Sequence, residues 1–104
     1  MFSVYVLYGH PTDPEAFERY YDNTHLPLAA RIPNMKRAQY SRIVGTPDGG
    51  EPAYYRIATL IFDSQEQAME GLGSPDGQAA VQDLANFATG GATVVLAQTQ
   101  EVTP

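Results

Sequence analysis

Three segments that read as β-strands are apolar on both of their sides. In Phe2–Tyr8, Val4, Val6 and Tyr8 alternate with Tyr5 and Leu7. In Ala53–Phe62, Ala58, Leu60 and Phe62 alternate with Ile57 and Ile61, and in Ala92–Val102, Val94 and Leu96 alternate with Val95 and Ala97. Successive strand residues point to opposite faces of a sheet, so a sheet made from these strands needs cover on both. A fourth strand, Met35–Val44, is amphipathic, with Ala38, Tyr40, Arg42 and Val44 on one face and Arg37, Gln39, Ser41 and Ile43 on the other.

Two helical regions lie between the strands. Asp13 is placed to cap the first, with Pro14 at its first position and Glu15 in its first turn. The apolar stripe of Phe17, Tyr20, Tyr21 and Leu28 carries this helix to about Ala30. Pro27 interrupts the pattern: it lacks a backbone donor and disfavours helix at Leu26, so a kink or reset is expected near His25. Pro33-Asn34 reads as a turn and Asp48-Gly49-Gly50 as a loop. Ser64 caps a short helix, Gln65–Gly71. Ser74-Pro75 opens a further piece through Val81, Leu84, Ala85 and Phe87, which Gly90-Gly91 ends. The order is β-α-β-β-α-β, an α+β ferredoxin-like arrangement with a four-stranded antiparallel sheet in a single domain spanning 1–104. Its helices can cover one sheet face only. A second copy laying its own sheet against the other face solves the problem, so a homodimer through sheet faces is expected.

Composition narrows the function. No cysteine is present, which excludes disulfides, thiolate nucleophiles and cysteine-held metal or iron–sulfur sites. The formal charge is −6, a poor match to nucleic acid, where cationic groups supply most of the affinity. All six basic residues lie in 1–56, whereas 57–104 carries six acids, read here as a solvated acidic half. With no apolar run near the roughly 18 residues of a membrane span and no secretory pattern, a cytoplasmic protein with no membrane partner is expected.

The stretch Ala16-Phe17-Glu18-Arg19-Tyr20-Tyr21-Asp22-Asn23-Thr24-His25-Leu26-Pro27-Leu28-Ala29, followed by Ile32-Pro33-Asn34-Met35, resembles the EthD family. That family is named for a protein encoded with an ethyl tert-butyl ether degradation system. Its pattern is an aromatic pair, then His-x-Pro-Leu, then a Pro-Gly-hydrophobic turn. The resemblance implies a dimeric α+β barrel with a cleft between the helices and the sheet of each protomer. The motif is moderately specific, since related dimeric barrels share the architecture with other site residues. Asn34 stands where relatives have Gly, and Asn tolerates positive φ. Tyr21 stands where relatives often have Trp, so the ligand does not transfer.

His25 is the first candidate for chemistry, as a general acid/base one helical turn after Tyr21. Tyr21 is placed to orient it or to hydrogen-bond a ligand oxygen, and Asp22, three residues before His25, to reach it and raise its basicity. The competing role for His25 is to hydrogen-bond the backbone loosened by Pro27. Tyr8 and Tyr40 are assigned with Asp22 to substrate binding; the bland alternative for each tyrosine is packing at a sheet edge or dimer seam. His10, in a loop, is assigned to the surface. Arg42 and Arg56, on neighbouring strands, are placed to pair with an acid across the dimer or to meet an anionic ligand, the bland alternative being a surface salt bridge. No spacing of histidines and acids suits a metal. Together these residues suggest a small catabolic protein that binds an apolar, oxygen-bearing organic molecule and acts on it by cofactor-free acid/base or oxygenase-type chemistry. The alternatives are a non-catalytic carrier beside a partner oxygenase and a haem-binding barrel held through a single histidine.

Overall fold

A computed structural model describes residues 1–104. Its strands are β1 (Phe2–Tyr8), β2 (Arg37–Arg42), β3 (Arg56–Phe62) and β4 (Ala92–Gln98). They form one antiparallel sheet in the order β2-β3-β1-β4. The helices are α1 (Pro14–Tyr20), α2 (Leu26–Ala29), α3 (Gln65–Gly73) and α4 (Pro75–Phe87), and a π-helical turn at Tyr21–His25 joins α1 to α2. No helix is long and apolar enough to cross a membrane. The chain thus has the α+β ferredoxin-like architecture that its sequence pattern implies. β1 has the expected bounds, whereas β2, β3 and β4 are shorter than expected.

The caps follow from local chemistry. The Asp13 side chain accepts from the Ala16 N–H, Ser64 from Gln67 and Ser74 from Gly77, each satisfying one otherwise orphaned donor of a helix start. Asn34 adopts φ +70° and donates to the Gln67 carbonyl, so the turn into β2 survives without glycine.

The reset expected near His25 is a π turn. The Leu26 N–H bonds to the Tyr21 carbonyl, five residues back, which widens one turn. Proline has no N–H and its ring crowds the carbonyl four residues earlier. The wider turn accommodates both defects while the helix continues.

Register sets the core. Across the covered face, Tyr40, Ala58, Val6 and Val94 form one row, and Ala38, Leu60, Val4 and Leu96 the next. One core cluster gathers Phe2, Val4, Ala29, Ile32, Leu60 and Phe62 beneath α2–α4; another gathers Val6, Tyr8, Phe17, Tyr21 and Phe87 beneath α1 and the π turn. Tyr40 packs against both. The other face presents Tyr5, Leu7, Ile57 and Ile61 half-buried and Val95 exposed.

The junction of α3 and α4 depends on a missing side chain. A Cβ at Gly77 would lie 2.1 Å from the Gly71 carbonyl oxygen and 2.6 Å from that of Leu72. In an open helix Gly→Ala stabilises by roughly 1 kcal/mol. Here the contact is with backbone, so the sign reverses: Gly77→Ala is expected to destabilise by about 1–3 kcal/mol, measured as a lower denaturant midpoint at unchanged slope.

Candidate functional site

The π turn places Tyr21 and His25 on the inner side of the helix, both buried. Their rings stack at 5.8 Å between centroids, and Phe87 of α4 lies 4.6 Å from the imidazole on another side. His25 Nδ1 is 2.9 Å from Oδ2 of Asp83 on α4. Oδ1 of Asp83 accepts from the Tyr20 hydroxyl at 2.6 Å and from Asn86 Nδ2 at 2.9 Å. Burial by itself would push the Asp83 carboxyl up, but the hydrogen bonds from Tyr20, Asn86 and His25 outweigh it and hold the group below its ordinary value of 3.8. The same bond raises the Tyr20 phenol, because Asp83 prefers its donor protonated.

With Asp83 ionised, Nδ1 is the nitrogen that donates to it, so in the neutral tautomer the lone pair lies on Nε2. Nε2 takes no hydrogen bond from the chain. His25 lines a cavity of about 30 Å³ between helices and sheet. Val4, Val6, Ala58, Leu60 and Val94 floor it, Tyr8 and Tyr40 stand at one end, and Ala29, Ile32, Leu72 and Leu84 are among its walls. Val81 and Val94 also line it, yet are 44% and 41% exposed, so the cavity meets solvent between α4 and β4. Its room is that of one or two waters. A porphyrin does not fit it.

Behind Tyr21 sits an ion pair. Arg56 holds Glu18 through Nη2–Oε1 at 2.5 Å and Nε–Oε2 at 3.0 Å, and Tyr55 donates to the same carboxylate at 3.0 Å. The Arg56 bonds are the main reason that the Glu18 carboxyl lies below its ordinary range. The guanidinium carbon lies 4.7 Å from the Tyr21 ring centroid, a cation–π contact.

The comparisons with known proteins agree on a family. Residues 9–91 match the EthD domain. This chain belongs to the EthD domain family. A Rhodococcus erythropolis relative, an uncharacterized 11.0 kDa protein in the thcB-thcC intergenic region, is 39% identical over 104 residues, covering 100% of both chains. The crystal structure of an EthD family protein from Bacillus halodurans C-125 superposes with a TM-score of 0.90 at 31% identity, covering 96% of this chain and 99% of that one. A variant of SnoaB, a cofactor-independent oxygenase from Streptomyces nogalater, shares the fold at a TM-score of 0.65 and 18% identity, over 99% and 95% of the two chains.

Of the residues singled out from sequence, this EthD protein brings His25, Tyr21, Tyr8 and Tyr40 together. Asp22 is a correction. It is exposed on the outer side of the π turn, and the carboxylate bonded to His25 is Asp83. Asp83 was hidden in the acidic half taken as solvated. The available signal was its spacing: Ala80, Asp83 and Phe87 fall on one buried helical stripe. Arg56 pairs with Glu18 of its own chain rather than across an interface, and His10 is exposed, its Nε2 2.8 Å from the Pro52 carbonyl.

The lowered Asp83 carboxyl links the site to stability. A group whose folded value is depressed stabilises fully above its unfolded value and loses that contribution as pH falls through the folded one. Stability of the wild type is therefore expected to decline as pH drops below about 4, the ordinary value being 3.8. Asp83→Asn is expected to be less stable at neutral pH and to decline less steeply in acid, measured by urea unfolding across pH.

Proposed function

We propose that this protein is a small catabolic homodimer that binds an apolar, oxygen-bearing organic molecule in the helix–sheet cavity and removes a proton from it without a cofactor. His25 is the base, Asp83 orients it, and Tyr21 assists by hydrogen bonding. The observation that carries this reading is the buried His25–Asp83 bond, which leaves Nε2 unpaired at an apolar cavity. A neutral imidazole aimed by a carboxylate at an apolar cavity is suited to general-base work. Proton removal beside an oxygen function is a first step common to isomerisation and to cofactor-free oxygenation. That the fold also serves a cofactor-independent oxygenase is in keeping with this.

The dimer reading rests on the sheet. Tyr5, Leu7, Ile57, Ile61 and Val95 form an apolar face that the chain's own helices leave bare. Sedimentation at micromolar concentration is expected to give a dimer, and Ile57→Glu, which puts a charge on that face, a monomer.

The base is tested with a small ketone. Exchange of the α-protons of cyclohexanone in D₂O, followed by NMR, is expected to be accelerated by the wild type. His25→Ala should lower that rate by about 10²–10⁴-fold. A protein that binds the ketone with no acceleration is a carrier, and the catalytic role of His25 is then wrong.

A further inference from the structure

Three tyrosines from three elements converge at the π turn, with Tyr21 one ring behind the two that line the cavity. Tyr8 of β1 meets Tyr21 at 5.6 Å between ring centroids and 84°, and Tyr40 of β2 meets Tyr21 at 6.1 Å and 89°. Tyr8 and Tyr40 line the cavity that His25 also lines. Tyr21 is completely buried, and its hydroxyl has no hydrogen-bond partner. The Tyr8 hydroxyl acts as a weak donor towards the Tyr21 oxygen, which raises Tyr8 and lowers Tyr21, but the pair falls outside hydrogen-bond geometry and the Tyr21 proton has no acceptor. No carboxylate or carbonyl accepts from Tyr8, Tyr21 or Tyr40; Glu18, the nearby acid, is taken by Arg56 and Tyr55.

An unpaired buried hydroxyl is expensive, and native proteins leave few of them. Here the missing group is an acceptor. Burial pushes the Tyr21 phenol up to about 12 and raises Tyr8 and Tyr40 as well, so all three remain donors at neutral pH. Arg56, over the Tyr21 ring, adds positive potential on the same side. A donor cluster backed by a cation, one stacked ring away from a base, suits an oxygen that gains negative charge as the neighbouring proton leaves.

We infer that the Tyr8–Tyr21–Tyr40 cluster is the oxygen subsite of the cavity and that the substrate is an enolisable ketone or a phenol, its oxygen received by Tyr21 and its apolar body lying over Val4, Ala58 and Leu60. The inference deepens the proton-abstraction reading and rests on it for the class of reaction, but its test does not need turnover. The phenol 4-fluorophenol serves as a stable mimic of an enol, and 4-fluorotoluene as the same shape with its oxygen acceptor replaced by a methyl group. Binding of each is read from ¹⁹F line broadening.

The wild type is expected to bind 4-fluorophenol about tenfold or more tightly than 4-fluorotoluene, the size of one hydrogen bond of roughly 1.4 kcal/mol. Tyr21→Phe is expected to abolish that preference while raising the melting temperature, since an orphan hydroxyl leaves the core. His25→Ala should keep the preference. The inference is overturned by a wild type that takes neither probe or does not prefer the phenol, by a Tyr21→Phe protein that keeps the preference, or by one that melts lower, which would mean that the hydroxyl is already satisfied. A kept preference with no ketone exchange would sink the base and spare the subsite. Exchange that needs His25 but is indifferent to Tyr21→Phe would do the reverse.

Discussion

A carboxylate lies inside the helix layer of this small domain, and the arrangement of the helices answers to it. Asp83 is buried on α4 and accepts from Tyr20, His25 and Asn86. A buried charge is tolerated only when its lone pairs are met. Two of those donors come from the other helical region, one from the end of α1 and one from the end of the π turn. The triple bond set therefore fixes how α4 lies against the first helical region. It also fixes which edge of the imidazole is free. The packing of the helices and the chemistry of the site are one constraint read from two sides.

The π turn is what allows both donors to reach one acid. Tyr20 and His25 are five residues apart, too far along a regular α-helix to share a face closely, since neighbours there are three and four apart. Widening the turn between them brings positions five apart closer to register. Pro27 supplies the reason for widening, two residues beyond His25. A residue that looks like a helix breaker thus serves to aim two side chains at Asp83.

The fold was readable to a large degree because its signals are local or periodic. The Asp13, Ser64 and Ser74 caps, the Asn34 turn and the alternation in β1 each depend on a few adjacent residues. The strand ends were not, because pairing partners decide them: β2 stops at Arg42, opposite Arg56, although Ile43 and Val44 continue a strand-like pattern. At the site, Tyr21 and His25 were legible as helical neighbours. Asp22 was chosen by sequence proximity alone, and the π turn left it outside. Asp83 lies 58 residues from His25, and nothing local marks which of twelve acids folds inward. Only its place on the stripe with Ala80 and Phe87 separates it from the solvated ones.

Asp83 and Tyr21 make an instructive contrast within one small volume. Asp83 has three donors for its two oxygens, and its cost of burial is met inside the chain. Tyr21 is buried as deeply, contacts Phe17, Tyr8, Tyr40, His25 and Phe87 with its ring, and yet has no acceptor for its hydroxyl. Packing does not require that oxygen, since phenylalanine would make the same ring contacts. Local rules are broken at functional sites more often than elsewhere, because selection for folding alone would remove the defect. The base is fully supported by the protein, and the donor is left short by one partner. On the proposed reading, the acceptor that Tyr21 lacks is the oxygen of the bound molecule.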